Sequence, residues 1–424
     1  MAFDDSGDEL VDVDQLGRRM LEDIDHAMRR RSGDCIADVV SGSVPREVAS
    51  AVDVYVVDLQ QTTLVPIPRH GVLTAGTIKV DGTQAGNCFQ LSILTTEELV
   101  ESALATGPSW QVRVWVPLVS GSERLGVIGV LTTRGISADP VAVSWLERLA
   151  DTTAELIQTS QRHSDSVTRL RRTREMDVAA EIQWALLPPL AYDDDNVSVC
   201  GALEPAYEVA GDTFDYAVDQ HTAQFALLDA VGHGLYSAQL ASLAVAAYRN
   251  ARRGRASLAQ LVDAIESVLT SHAADHHFAT GILGEINVHT GRLRFANAGH
   301  HPPLLLREGR LVGTIDGPSR VPMGLVAHTG PLEFVPIVVD LLPDDRILMF
   351  TDGVVEARSP EGAEFGVERL VELVVHHLDD HLSTPESMRR IIDSLLHHQQ
   401  ARLRDDATLL LIHWHPTSPA PAAS

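Results

Sequence analysis

Cysteine is scarce in this sequence, which has three cysteines among 424 residues. Cys35, Cys88 and Cys200 are far apart, and no two of them form a C-x-x-C pair. A scattered, odd-numbered set excludes a disulfide framework and is typical of a reducing compartment. No cysteine opens a loop closed by an arginine, so a thiol that attacks a phosphate group is not expected either.

Long apolar runs and positive charge are also lacking. No stretch reaches about 18 apolar residues, and the acidic start MAFDDSGDEL is not a signal peptide, so we predict a cytoplasmic protein without a membrane partner. The 33 Lys and Arg residues are outnumbered by 58 Asp and Glu residues, for a net charge of −25. Because this charge would repel a phosphate backbone, it excludes nucleic acid as the main partner.

Strand and helix signals alternate in the first 160 residues. Apolar residues at helical spacing predict a helix over Val13–Met28, and a further helix is expected in TTEELVESALAT, residues 95–106. Four runs rich in apolar and β-branched residues predict strands, at 52–59, 76–80, 110–119 and 124–133. We therefore predict a small domain of strands and helices at 15–160, preceded by a disordered tail at 1–14.

Residues 141–187 contain no glycine and no proline. Apolar residues recur there at helical intervals, so we predict one long helix or two, ended by the prolines of LLPPL. The apolar stripe consists of Leu146, Leu149, Leu156, Val167, Leu170, Val178, Ile182 and Leu186. Two interpretations stay open for this helical linker, placed at 161–190: an inert spacer, or a coiled-coil-like connector through which two chains pair as a homodimer.

After residue 190 the pattern changes to short apolar strands bounded by turns. Helical segments interrupt them at 235–252, 257–273, 366–379 and 384–400. INVHTGRLRF predicts a hairpin around His289, Thr290 and Gly291. Strands in hairpins with helices set apart predict an α+β domain at 191–416, with two sheets packed face to face and helices outside. The tail at 417–424 is expected to be disordered.

Aspartates stand at the ends of several apolar strands. Asp229 ends FALLD, Asp352 ends ILMFTD, and Asp405 and Asp406 directly precede ATLLLI. If the strands lie side by side, these acids meet at one edge of the core, where their charges need a cation. Oxygen ligands without a nearby cysteine favour Mg²⁺ or Mn²⁺, and two such ions can share one carboxylate and activate a water. A single Asp-Gly is usually a turn, but several acids at strand ends favour a metal site.

Six motifs in this half resemble a known family. VAGDTFDY, DAVGHGLYSA, NAGHHPPLLL, VPMGL, MFTDGVVEA and RDDATLLLI occur in the order and spacing of the SpoIIE/RsbU-like branch of the PPM serine/threonine phosphatases. AAEIQWALLPP resembles the helix that opens that domain, so the resemblance spans 175–415. It implies a PPM-type αββα sandwich that uses two Mn²⁺ or Mg²⁺ ions to hydrolyse phosphoserine or phosphothreonine.

The resemblance assigns roles to individual residues. Asp229 is similar to the carboxylate that bridges both ions, and Ala230 stands where a backbone carbonyl is a ligand. Asp212 would serve the first ion, and Asp352 and Asp405 the second. These residues are therefore the candidate catalytic and metal-binding set.

Three departures or open points accompany this assignment. Asp406 is a weaker candidate, because the family's ligand is the first acid of that pair, and a metal role for Asp215 stays open. Ala210 stands where the family usually has glycine, and we expect only a minor backbone adjustment there. The other motif residues are expected to shape the turn and rim of the site, with the histidine of the turn structural rather than a proton donor: Gly232, His233, Gly234, Asn297 and His300.

The first half resembles a GAF sensor domain over VRVWVPLVSGSERLGVIGVLTTRG, although no attachment motif for a cyclic nucleotide, haem or bilin is present. Together the resemblances imply an α+β chain with a GAF-like sensor, a helical linker and a phosphatase domain. The implied substrate is a phosphorylated anti-sigma-factor antagonist of the STAS type, or a similar phosphoprotein. Two other functions stay open: a non-catalytic binding module that holds a metal for structure, and a hydrolase of a small phosphoester.

Overall fold

The computed structural model describes residues 13–28, 36–73, 75–99, 112–204, 207, 211–272, 277–325, 335–379, 382–400 and 405–417. The chain forms two compact units, Met1–Thr173 and Arg174–Ser424, and their boundary lies inside the segment 161–190 predicted as a linker. No helix within the described ranges is long and apolar enough to cross a membrane. Most of the two tails predicted to be disordered lies outside the described residues.

A six-stranded antiparallel sheet, in the order β3-β2-β1-β6-β5-β4, is the centre of the N-terminal unit. The strands are β1 (Ala51–Val57), β2 (Thr63–Pro66), β3 (Ile78–Lys79), β4 (Thr95–Glu98), β5 (Val112–Ser120) and β6 (Glu123–Thr132). The helices are α1 (Val13–Met28), α2 (Ile36–Ser43), α3 (Gln84–Leu91), α4 (Arg134–Ala138), α5 (Pro140–Ser160) and α6 (Ser166–Arg171). Helices α1, α2, α5 and α6 share one apolar core with the sheet, and α3 shares a second, which contains Cys88 and Trp115.

The segment TTEELVESALAT does not begin as a helix. Thr95–Glu98 is strand β4, which pairs with β5 and sets Thr95 opposite Trp115. Two consecutive β-branched threonines favour the pleated edge over a helix, and the Trp115 indole donates to the Glu97 carboxylate at 3.1 Å. The helix prediction is therefore wrong for these four residues, and 100–106 lie outside the described residues.

One long helix or two were predicted over 141–187, and the structure has three. Residues 161–165 separate α5 from α6, and 172–177 separate α6 from α7 (Val178–Leu186), which belongs to the C-terminal unit. Leu146 and Leu149 are 1% and 0% exposed, in the core that also holds Val167. The stripe that suggested a coiled coil is thus the face with which α5 covers its own sheet, and this part of the predicted pairing surface is not available.

Two six-stranded sheets form the C-terminal unit. The first has the order β15-β12-β11-β10-β9, with β16 also paired to β12, and the second has the order β14-β13-β17-β18-β8-β7. The strands of the first are β9 (Asp212–Val218), β10 (Thr222–Ala230), β11 (Ala279–Asn287), β12 (Arg292–Ala298), β15 (Ser319–Arg320) and β16 (Ile337–Asp340). Those of the second are β7 (Ala191–Asp193), β8 (Val197–Glu204), β13 (Leu304–Arg307), β14 (Arg310–Thr314), β17 (Arg346–Phe350) and β18 (Ala407–Trp414).

Three apolar cores fix the layers of this unit. Phe214, Phe225, Leu410 and other side chains fill the space between the two sheets. Helices α8 (Leu235–Arg253) and α9 (Leu258–His272) share a core with the first sheet, and α10 (Asp352–Val355), α11 (Val367–Asp379) and α12 (Thr384–His398) share one with the second. The predicted αββα sandwich, its four helical segments and the hairpin at Gly291 are confirmed.

Candidate metal centre

Strand ends bring aspartates of both sheets to one edge of the sandwich. Asp212 begins β9 and is paired with Asp229 near the end of β10, in the first sheet. In the second sheet β17 ends two residues before Asp352, and the antiparallel β18 begins directly after Asp405 and Asp406. The regular alternation of antiparallel strands therefore collects acids that are far apart in the sequence.

Asp229 lies between two groups of these acids. Burial, together with the charges of Asp352 and Asp405, raises the pKa of Asp229 to about 6. The pKa of Asp212 is raised well above its ordinary value by burial and by the charges of Asp229 and Asp406. Asp229 is therefore the acid that adjoins both groups.

Asp212 and Asp406 form the buried half of the cluster, and each is 3% exposed. Thr351 Oγ1 donates to Asp212 Oδ2 at 2.6 Å and accepts from the Thr408 N–H at 2.9 Å. Asp406 Oδ2 accepts from the Asp212 N–H at 3.3 Å, while its Oδ1 has no hydrogen-bond partner within the described part of the chain. Burial, and then the charge of Asp405, raises the pKa of Asp406 to about 7.

Asp352 and Asp405 form the open half of the cluster, because Asp405 is exposed and Asp352 is half-buried. The pKa of Asp405 is raised overall, by partial burial and by the charge of Asp352, and the nearby His233 opposes this rise. His233 therefore lies close enough to Asp405 to influence its pKa. The sequence had predicted a structural role for this histidine.

Two glycines shape the turn that leaves Asp229. Gly232 has φ 96° and Gly234 has φ 77°, in the left-handed region where residues with a side chain are strained. Gly234 directly precedes the first residue of α8, so the chain turns from β10 into that helix over four residues. The predicted sharp turn is confirmed.

Two other glycines permit close approach of the backbone. A Cβ on Gly211 would lie 2.8 Å from the Ala230 carbonyl oxygen, so this glycine leaves space beside the predicted carbonyl ligand. A Cβ on Gly353 would lie 1.8 Å from the Asp406 carbonyl oxygen. Asp352-Gly353 is therefore the start of helix α10 packed against β18, rather than an ordinary turn.

His300 ties the two sheets together beside Asp229. Its Nδ1 lies 2.8 Å from Thr280 Oγ1, and its Nε2 lies 3.1 Å from the Phe350 carbonyl oxygen. Burial lowers the pKa of His300 to about 4, so the ring is neutral at pH 7 and the Nε2–H donates to the carbonyl. The Thr280 hydroxyl lies within hydrogen-bond distance of two acceptors, His300 Nδ1 at 2.8 Å and Asp229 Oδ2 at 3.3 Å, and its one proton can go to either. Asn297 fixes the turn by bonding the His300 N–H and carbonyl, as the sequence predicted for this rim.

A cavity of about 230 Å³ opens above this arrangement. Asp229, Thr280, Asp352, His300 and His301 are among the residues that line it. The exposed His301 ring stacks on Phe350, with ring centroids 5.7 Å apart and an interplanar angle of 21°. The cavity therefore meets both carboxylates and a histidine held in place by an aromatic ring.

Asp215 does not join the cluster of acids. Its carboxylate oxygens lie 2.7 Å from Arg249 and 2.9 Å from Arg252, both on α8. Arg249 also donates to the Leu186 carbonyl at the end of α7. These two ion pairs assign Asp215 to holding the helices on the sandwich.

Sequence reasoning missed the hydroxyl and amide groups that orient the acids. Thr280 and Thr351 each stand in or next to an apolar strand, where a threonine gives no signal beyond its β-branched shape. Gln183 of α7 donates to the Asp212 carbonyl oxygen at 2.6 Å, although its helix resembled only the start of the domain. Their roles depend on which strands become neighbours. Ala210 lies outside the described residues.

The donor set fits a hard divalent cation. As the side chains stand, no group of three or more His, Cys, Asp or Glu residues within the described ranges has the geometry to hold a metal ion. The raised pKa values of Asp212, Asp229 and Asp406 nevertheless reflect a burial and repulsion that a cation relieves. Asp406 Oδ1 is buried without a donor among the described residues, and Gly211 leaves space beside the Ala230 carbonyl that a side chain would fill. Oxygen donors of this kind suit Mg²⁺ or Mn²⁺.

Comparison with known proteins gives matches in this unit. The family model SpoIIE, described as Stage II sporulation protein E, matches residues 219–415. The chain is 27% identical over 251 residues to phosphoserine phosphatase RsbP of Bacillus subtilis (strain 168), covering 58% of this chain and 59% of RsbP. It is 24% identical over 241 residues to phosphoserine phosphatase RsbU of the same organism, covering 56% of this chain and 69% of RsbU. The solved SiaA-PP2C domain of Pseudomonas aeruginosa is 22% identical with a TM-score of 0.45, covering 55% of this chain and 94% of that one.

Proposed function

We propose that the chain is a metal-dependent protein phosphatase that hydrolyses phosphoserine or phosphothreonine, since its residues 219–415 match the SpoIIE family model. The observation that carries the proposal is the position of Asp229. It adjoins Asp212 on the buried side of the cluster and Asp352 and Asp405 on the open side. A carboxylate between two groups of acids suits a ligand shared by two ions.

We assign the ligands on this basis. Asp212 would hold one ion, Asp352 and Asp405 would hold the other, and Asp229 would contact both, with the Ala230 carbonyl as a further ligand. When bound, two Mn²⁺ or Mg²⁺ ions supply an activated water and polarise the phosphoryl group.

The chain's own contribution is to orient these groups. Thr351 donates to Asp212 Oδ2 and thereby restrains the orientation of this carboxylate. The neutral His300 ring contacts the Thr280 hydroxyl on β11 and donates to the Phe350 carbonyl at the end of β17, so it holds these two strands together beside the cavity that Asp229 and Asp352 line. The cavity of about 230 Å³ has the size for a phosphorylated side chain rather than for a whole folded segment.

The substrate and regulation are finer parts of the proposal. RsbP and RsbU carry the name phosphoserine phosphatase, and the chain spans 59% and 69% of their lengths. We propose a phosphorylated anti-sigma-factor antagonist of the STAS type, or a similar phosphoprotein, as substrate. The N-terminal unit, with its six-stranded sheet and its resemblance to a GAF domain, would act as the regulatory sensor.

The test is phosphate release from a purified phosphoserine protein by the full chain. We expect turnover with Mn²⁺ or Mg²⁺ and none after chelation, because the clustered aspartates are proposed to act as ligands of the ions that activate the water. Asp229→Asn should lower turnover by roughly 10³-fold. Asp219→Asn is the matched control, because Asp219 caps the opposite end of the same β9–β10 hairpin and accepts from the His221 and Thr222 N–H groups.

Alkylation of the cysteines separates this chemistry from a thiol mechanism. Cys88 and Cys200 are buried, and burial raises the pKa of the Cys88 thiol to about 12, so neither is a ready nucleophile. Full turnover in the presence of a chelator, or loss of turnover on alkylation of a chain that stays folded, would contradict the proposal.

A further inference from the structure

A second, larger cavity lies in the N-terminal unit. Its volume is about 800 Å³, and it opens between α2, the segment that leads into β1, and the bridge between Arg69 and Val72. Pockets of roughly 300–1,000 Å³ are typical of sites for small organic molecules. The volume therefore suits a metabolite-sized ligand.

The wall of this cavity carries one carboxylate with a fixed orientation. Asp38 on α2 accepts from the His70 backbone N–H, at 3.0 Å through Oδ1 and 3.1 Å through Oδ2. The His70 ring adds Nδ1 at 3.3 Å from Oδ1. The Asp38 side chain is 9% exposed, so it presents its acceptor at a set position rather than as a mobile surface group.

Two arginines line the same cavity and have uncommitted side chains. Neither the Arg46 nor the Arg69 guanidinium makes a hydrogen bond or ion pair with any residue that the structure describes. A guanidinium binds a carboxylate or phosphate through two parallel N–H bonds, so a pair of them on one cavity suits an anionic group. The remaining wall contains Val44 and Val52, which suit a short carbon skeleton.

We propose that this cavity binds a small organic anion. Arg46 and Arg69 hold its carboxylate or phosphate group, and Asp38 accepts a hydrogen bond from a hydroxyl or amino group elsewhere on the ligand. The inference rests on the N-terminal unit alone and does not depend on the activity proposed for the C-terminal unit.

The position of the cavity connects it to the core of the unit. Val40 on α2 is buried in the same apolar cluster as Leu146 and Leu149 of α5. A ligand that moves Asp38 therefore acts on the helix that packs against α5, and α5 leads through α6 to the end of this unit. The cavity is placed to influence the unit's last helices.

The test is isothermal titration of the full chain, in buffer freed of divalent metal ions, with succinate, glutamate and inorganic phosphate at constant ionic strength. We expect saturable 1:1 binding of at least one of these probes, with a Kd below about 1 mM. Comparison of succinate and glutamate with inorganic phosphate shows whether the cavity binds a carboxylate or a phosphate group. Asp229→Asn should bind the same probe equally well, which excludes binding at the aspartate cluster.

Substitutions then locate the site. Arg46→Ala and Arg69→Ala should each weaken binding about tenfold or more, while Arg113→Ala, on β5 and outside the cavity lining, should not change it. Unchanged thermal melting shows that each variant is folded. The proposal is overturned if no probe binds saturably, or if the Arg46 and Arg69 variants bind as the unsubstituted chain does.

Discussion

At the scale of single residues, the cluster has a centre and a periphery. Asp229 adjoins acids of both sheets, whereas Asp406 is buried against Asp212 and receives a backbone hydrogen bond from it. Removal of the central charge disturbs every member of the cluster. Removal of a peripheral charge disturbs one neighbour, so the two substitutions should differ in their consequences.

We predict that Asp229→Asn lowers the rate of phosphate release more than Asp406→Asn. A loss of roughly 10³-fold at Asp229 corresponds to about 4 kcal/mol of transition-state stabilisation, and the loss at Asp406 should be smaller. Single-turnover assays at the same high Mn²⁺ concentration for each variant measure both. Equal losses in two folded variants would show that Asp229 is not the shared ligand.

A second prediction concerns His300, which orients Thr280 and the end of β17 and is not itself a proposed metal ligand. His300→Ala should raise the Mn²⁺ concentration for half-maximal activity several-fold, because the carboxylates on the two sheets lose their fixed separation. His300→Gln, which can donate to the Phe350 carbonyl, should recover part of the affinity. A lower rate with an unchanged Mn²⁺ requirement would contradict this positioning role.

At the scale of helices and strands, apolar periodicity was sufficient to predict an element that packs on the sheet of its own unit. The helices at 235–252 and 366–379 and the hairpin at Gly291 could be predicted because their patterns are long and their turns contain glycine. Thr95–Glu98 could not, because its strand is defined by its pairing with β5. The aspartates could be predicted from strand ends, whereas Thr280 and Thr351 became recognisable only once the strands were neighbours.

The packing of α5 against its own sheet leads to a prediction about the stability of the N-terminal unit. Leu149 is fully buried in the N-terminal core, so Leu149→Asp should destabilise that unit by several kcal/mol, roughly 3–5, because an unpaired charge would be buried. Val141, on the same helix, is 45% exposed and makes Val141→Asp the matched control, expected to change stability little. Urea unfolding followed by Trp fluorescence measures both. A change from dimer to monomer without loss of stability would instead restore the pairing interpretation.

At the scale of the whole molecule, the cluster makes stability depend on pH and metal. Asp229 and Asp406 have pKa values of about 6 and about 7 in the folded chain, above their ordinary value of 3.8. As pH rises from about 4 to about 7, the unfolded chain has already lost these protons while the folded chain still holds them. The free energy of unfolding of the metal-free chain should therefore fall over this window.

We predict that Asp406→Asn makes the decline of Tm between pH 5 and pH 7.5 shallower in the metal-free chain, because one of the protonated acids is replaced by a neutral amide. Mn²⁺ should raise the Tm of the unsubstituted chain more at pH 7.5 than at pH 5, since protons compete with the ion for the same oxygens. Differential scanning calorimetry at matched ionic strength provides both measurements. Parallel pH profiles for the two chains would show that these acids do not control the decline.

The number of Mn²⁺ ions that the full chain and its Asp229→Asn and Asp219→Asn variants bind at equilibrium tests most directly whether two ions share Asp229. If Asp229 is the ligand that two ions share, the unsubstituted chain and Asp219→Asn bind about two ions each at pH 7.5, and Asp229→Asn loses measurable affinity for both. Binding of two ions by a folded Asp229→Asn variant with unchanged affinity would rule out Asp229 as the shared ligand.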